Sequence, residues 1–322
     1  MNPWLQTAAF AAAALCALTM GYAIQRGATC TVAAVDELLR QRRAARLRAL
    51  LEAALWVGGG LLLARHLHWM DAPLNGYSLS AWTVAGAALL GFGAYINRAC
   101  VFGAIARLGS GEWAYVATPL GFYLGCVSVA TVFAPPTAQA LPAGSAVLQA
   151  PGWVLAAFVA YLAWRIGQPL LDRLSREKRV HELIEGRWPP HVATLVIGLS
   201  FLAMLLLVGA WAYTDVLAEL AHGMAGSLLA RSALLLCLLA GAMLGGWRAG
   251  RLAAQWPSGA QILRCAAGGL LMGWGSLLIP GGNDGLILVG MPLLWPYAWV
   301  AFATMCAVIA AAQGWQLRRA AA

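Results

Sequence analysis

Charge is scarce in this 322-residue chain: 10% of its residues are charged, 61% are hydrophobic, and the mean hydropathy is +0.73. A soluble domain carries about 25% charged residues, so the composition excludes an ordinary soluble fold. Lysine is nearly absent, with Lys178 alone among 21 basic residues. The formal charge of +9 could signal nucleic acid. The basic residues, however, cluster between apolar runs, the pattern of cytoplasmic loops in a membrane protein, and no nucleic-acid partner is expected. No Cys-x-x-Cys pair occurs among the seven cysteines, which argues against a disulfide framework or a zinc site. There is no HExxH, Walker A or dinucleotide fingerprint, and no cofactor is expected. No Lys or Arg precedes Arg26, so the N-terminus lacks the basic start of a cleavable signal. The run 5–24 reads as a retained first span.

What the chain has instead is apolar runs near the ~20 residues that a span requires. They predict nine spans, at 5–24, 49–67, 79–97, 112–133, 149–168, 191–210, 229–247, 258–278 and 297–317. Four further apolar segments, about 28–39, 99–108, 213–222 and 284–294, are too short to cross and read as re-entrant pieces. The expected fold is therefore an all-α polytopic membrane protein with about nine transmembrane helices and four short re-entrant helices. Arg40, Arg42, Arg43, Arg46 and Arg48 follow the first span; Arg173, Arg176, Lys178, Arg179 and Arg187 the fifth; Arg248 and Arg251 the seventh; Arg318 and Arg319 the ninth. Loops after odd-numbered spans carry the charge, which puts the N-terminus outside and the C-terminus in the cytoplasm, Arg65 being a mild exception.

The chain also repeats itself. Gly-Ala-Ala-Leu-Leu-Gly-Phe-Gly from Gly86 to Gly93 matches Gly-Gly-Leu-Leu-Met-Gly-Trp-Gly from Gly268 to Gly275, which sets Cys100 opposite Gly282. An odd number of spans separates the copies, so the halves, 1–134 and 190–322, are expected to be inverted in the membrane. Residues 135–189 would form a linking span and a cytoplasmic loop. Inverted repeats with interrupted helices are a transporter signature, with the site where the broken helices meet. Close helix packing through small residues is the structural alternative for such glycines.

The interruptions carry the chemistry. Arg26 precedes Cys30, Asn97-Arg98 precede Cys100, and each cysteine follows a glycine nine residues earlier, Gly21 and Gly91. An arginine at membrane depth is expensive and reads as a functional site; the positive sign suggests an anion. Snorkelling or pairing with helix ends is the structural alternative. Pro280-Gly281-Gly282-Asn283-Asp284 marks an unwound stretch before a new short helix, whose free N–H groups suit an anion; a plain turn would look similar. A thiol is a weak donor and a weak acceptor. It suits a soft, sulfur-bearing anion and can form persulfides or mixed disulfides. Cys16, Cys126, Cys237 and Cys265 read as small buried hydrophobes. Asp36 and Glu37 read as interfacial, and Glu112 as a carboxylate opening the fourth span.

At Arg26-Gly27-Ala28-Thr29-Cys30, at Asn97-Arg98-Ala99-Cys100-Val101-Phe102-Gly103 with Arg107-Leu108, and at Pro280 to Asp284, the chain resembles the YeeE/YedE family of sulfur transport proteins, whose characterised type takes up thiosulfate. The resemblance implies a transporter, not an enzyme, in a bacterial inner membrane. It would be hourglass-shaped, with short helices meeting at a narrow centre and cysteines handing thiosulfate along. Cys30 and Cys100 fall on the family's first two cysteine motifs, and Cys306 is the candidate for a third. A TusA-like cytoplasmic sulfur carrier is implied as a partner. The residues themselves leave open a transporter of another sulfur or selenium species, or a membrane sulfurtransferase carrying a persulfide on Cys30 or Cys100.

Overall fold

A computed structural model describes residues 3–69, 74, 76–135, 137–141, 144–171, 186–209, 211–222 and 228–321. The basic residues Arg173, Arg176, Lys178 and Arg179 lie outside the described residues. Among those described there is no β-strand; two isolated bridges, Tyr77–Ala140 and Glu112–Gln255, tie loops together. The helices are α1 (Pro3–Gly27), α2 (Thr31–Gln41), α3 (Ala45–His66), α4 (Ala81–Asn97), α5 (Val101–Leu108), α6 (Ala117–Phe133), α7 (Gly152–Leu171), α8 (Pro190–Val208), α9 (Tyr213–Ala221), α10 (Leu228–Arg248), α11 (Gly259–Leu278), α12 (Asn283–Gly290) and α13 (Pro296–Ala321).

Among the described residues, seven helices are long and apolar enough to cross a membrane, or eight if α11 and α12, bent by 52° at their break, form one span. The chain is thus an all-α polytopic membrane protein. The sequence reading expects nine. Among the described residues, nine long helices lie over the nine expected positions, and seven or eight of them meet the length and apolarity of a span. The four short apolar segments appear as α2, α5, α9 and α12.

Helices α4 and α11 start on the same device. Ser80 Oγ accepts from the Thr83 N–H at 3.4 Å, and the Thr83 hydroxyl accepts from the Ser80 N–H at 3.2 Å. Ser258 and Gln261 repeat the exchange at 3.3 and 3.0 Å. Each capping box satisfies two N–H groups that would otherwise be left bare.

The order long, short, long, long, short, long occurs twice, in α1–α6 and in α8–α13, with α7 between. Packing follows the same rule. Helix α1 packs on α10 and α3 on α8; α4 packs on α13 and α6 on α11; α2 packs on α13 and α6 on α9; α3 packs on α12 and α5 on α10. Each of these contacts has its counterpart in the other set.

A close seam joins α4 to α11. A Cβ on Gly93 would lie 2.7 Å from the Gly268 carbonyl oxygen, and one on Gly275 would lie 2.5 Å from that of Gly86. The backbones touch because these positions have no side chain. Gly86 meets Gly275 and Gly93 meets Gly268, so the two matching octapeptides cross each other antiparallel. At one end of α7, Glu52 accepts from Arg165 Nε at 3.2 Å and hydrogen-bonds His191 Nδ1, tying together α3, α7 and α8.

Candidate functional site

Four breaks precede the four short helices, and they share a backbone plan. The residues Ala28, Arg98, Gly209 and Gly281 turn left-handed, with φ of 48°, 58°, 86° and 150°. After three of the long helices an N–H reaches back five residues: Thr29 to Ile24 O at 3.2 Å, Ala99 to Ala94 O at 3.1 Å, and Gly281 to Ser276 O at 2.8 Å. This closure satisfies carbonyls that an apolar surrounding would leave bare. Ala28 and Arg98 bear a Cβ in that conformation, at about 1–3 kcal/mol each. The short helices then start on Cys30, Cys100, Ala212 and Gly282, all with extended backbone.

The first two starts meet. The Thr31 N–H donates to Cys100 Sγ at 3.2 Å, which brings the Cys30 and Cys100 side chains next to each other. The Val32 and Ala33 N–H groups face the Cys30 sulfur, and the Gly103 N–H faces that of Cys100. Cys100 is wholly buried and Cys30 is 9% exposed. Gly103 leaves the room: a Cβ there would stand 2.6 Å from Cys30 Sγ.

Cys30 forms part of the wall of a cavity of about 860 Å³. Seven arginines and two carboxylates line it. Arg40 pairs with Asp36 at 2.7 Å, Arg107 with Glu112 at 2.9 Å, and Arg46 with Glu37 at 3.1 Å. Arg98, Arg187, Arg251 and Arg264 form no ion pair among the described residues. Burial, with Arg251 and Arg46 nearby, holds the Arg187 guanidinium below its ordinary pKa, as expected in an uncompensated positive field. Arg98, exposed at the end of α4, turns into this space.

The remaining predicted site residues divide. Asn97 is wholly buried and fully engaged: Nδ2 donates to Ala99 O at 2.8 Å, Oδ1 accepts from the Thr118 hydroxyl at 3.0 Å, and its carbonyl accepts from Tyr115 at 3.1 Å. It clamps the α4–α5 break and stands off the cavity wall. Arg26 is buried with its guanidinium 5.7 Å from the centre of the Tyr22 ring, also off that wall. Cys306 is half-buried among apolar residues of α13. Gly281 makes the turn of the α11–α12 break and Gly282 starts α12, so close to Thr214 that a Cβ would lie 2.3 Å from its hydroxyl. Asp284, 1% exposed, accepts from the Thr214 N–H at 3.1 Å, the Thr214 hydroxyl at 2.5 Å and the Gly285 N–H at 3.0 Å. It joins α9 to α12 as Cys100 joins α5 to α2. Asn283 is wholly buried, and neither polar atom of its side chain has a hydrogen-bond partner among the described residues.

Sequence reasoning missed Arg264, although an arginine inside the 258–278 apolar run was there to be read. It also read Asp36 and Glu112 as ordinary, whereas both stand on the cavity wall. Glu112 pairs with Arg107 and makes no side-chain cap. Thr214 carried no signal of its own; its role depends on Asp284, 70 residues away.

Broken helices in two like sets around a positively charged, thiol-floored cavity define a membrane transport protein for small anions. The family model described as Sulphur transport, that of the YeeE/YedE family, matches residues 26–311, and the chain belongs to that family. No curated protein matches the chain.

Proposed function

We propose that this sulfur-transport protein carries thiosulfate, or a similar sulfur oxyanion, inward across the inner membrane. The observation that supports this best is the buried Cys30–Cys100 pair at the floor of an arginine-lined cavity. A soft anion with a terminal sulfur finds weak S–H donors there, and charge from Arg98 and Arg264 draws it in. In this reading α1–α6 and α8–α13 are inverted repeats. Their crossing at Gly86–Gly275 and Gly93–Gly268 behaves as a self-complementary interface about a local two-fold axis, in which each contact occurs twice. The arginine-lined cavity then faces the cytoplasm with the C-terminus, and the α9–α12 junction faces outward.

The anion passes the α12 start, where the unpartnered Asn283 amide offers a donor, and then Cys100 and Cys30. Arg26 adds positive field from behind α1, and Cys306 is a further thiol contact. The chain uses no ATP of its own. A TusA-like sulfur carrier docks on the arginine rim. The test is uptake into proteoliposomes with thiosulfate, sulfite and sulfate compared. Thiosulfate should accumulate fastest, and Cys100→Ala should abolish the preference at equal protein level. Uptake by Cys100→Ala equal to wild type would refute the thiol path. The contact between the thiols also favours a second reading, a sulfurtransferase holding a persulfide. A stable persulfide on Cys30 or Cys100 during turnover, found by mass spectrometry, would support it.

A further inference from the structure

The two thiols are more than parallel contacts. The Thr31 N–H beside Cys30 donates to Cys100 Sγ at 3.2 Å, and Gly103, on the helix that Cys100 starts, lies against Cys30 Sγ. All seven cysteines are free. Both sit at helix starts with extended backbone, next to hydrogen-bonded turns that separate the short helices from α1 and α4. A disulfide between them requires the two sulfurs to close to ~2.05 Å. Their exposure differs: Cys30 is on the cavity wall and Cys100 is sealed behind it.

We propose that Cys30 and Cys100 are a redox-sensitive pair whose disulfide, formed by hydroperoxides reaching Cys30 from the arginine-lined cavity, closes the transport path. The first step is attack of the Cys30 thiolate on the terminal oxygen of the hydroperoxide. The O–O bond breaks, alkoxide or hydroxide leaves, and Cys30 becomes a sulfenic acid. The Cys100 thiol then attacks the Cys30 sulfur, the S–O bond breaks, and water leaves with the Cys100 proton. One peroxide is reduced and two thiols are oxidised. A dithiol reductant reverses the bond by exchange. Both thiols stand at the N–H ends of short helices, α2 and α5. Bond formation removes both S–H donors and joins the two short helices at the floor. Closure rests on the transport reading; the bond itself does not.

The experiment treats full-length protein in proteoliposomes with graded hydrogen peroxide, blocks free thiols with N-ethylmaleimide, and measures both peptide masses and thiosulfate uptake. The expected result is a cross-linked peptide pair containing Cys30 and Cys100, two hydrogens lighter than the reduced peptides. Uptake should fall at least tenfold in step with it, and both should be restored by dithiothreitol. In Cys100→Ser the cross-link should be absent and Cys30 should be found as a sulfenic acid, trapped by dimedone. Alkylated Cys30 and Cys100 after uptake has been lost would overturn the proposal. A complete cross-link with uptake unchanged would overturn closure. If reduced protein moves no thiosulfate, the transport reading fails, while the mass measurement still decides the bond.

Discussion

Replacing Asn97 by alanine separates a clamp from a ligand. The side chain is wholly buried and engages two partners, Ala99 O at 2.8 Å and the Thr118 hydroxyl at 3.0 Å. Each buried group left unpaired costs about 1–3 kcal/mol. Alanine strands one carbonyl and one hydroxyl, so the loss is roughly 2–4 kcal/mol after local relaxation. At about 2–4 °C per kcal/mol, the melting temperature falls by roughly 5–10 °C. Thr118→Val should cost about 1–2 kcal/mol by leaving Oδ1 bare. The double variant should cost less than the sum, with a coupling of about 1 kcal/mol. The assay is thermal unfolding in detergent beside uptake in proteoliposomes. Uptake should fall with stability, because the clamp sets where Cys100 starts α5. An Asn97→Ala protein that melts like wild type and shows only a raised KM for thiosulfate would refute the clamp and make Asn97 a substrate contact.

Gly103→Ala puts a Cβ 2.6 Å from Cys30 Sγ; uptake should drop severalfold at unchanged membrane level, and unchanged uptake would place the thiol elsewhere. Gly93→Ala meets the Gly268 carbonyl oxygen at 2.7 Å and should destabilise by about 1–3 kcal/mol, whereas Gly314→Ala, with open space around it, should melt like wild type. Arg98→Gln should raise the KM for thiosulfate and flatten its dependence on salt, while Arg98→Lys keeps most of both; equal kinetics for Gln and Lys would remove Arg98 from the field. Asp284→Ala leaves the N–H groups of Thr214 and Gly285 unpaired and should lower stability by about 2–4 kcal/mol, measured by the same melting assay.

Much of the architecture was legible because lipid allows few solutions. Apolar runs must be helices there, since every backbone group has to be satisfied within the segment. Length alone then separated α2, α5, α9 and α12 from the long helices. The breaks were legible because glycine, proline and a buried arginine are costly inside a span. The span count was harder, because α11 and α12 bend by 52° at their break and hydrophobic length does not register the bend. Asn97 looked like a substrate contact beside Arg98, because its partners Ala99, Thr118 and Tyr115 are chosen by folding and not by spacing.

By itself, the sequence determined that the chain is an all-α membrane bundle whose long helices alternate with short ones. Hydrophobic length and residue conformational preference act locally, and the chain cannot evade them. Only the tertiary structure decided that the Cys30 and Cys100 sulfurs meet, that Arg264 shares a cavity with Arg98, and that Asp284 joins α9 to α12 where thiols join the other pair. Those facts depend on which helix starts are brought together across 70 residues of intervening chain. That is settled by glycine seams and buried hydrogen bonds, whose partners are distant in sequence.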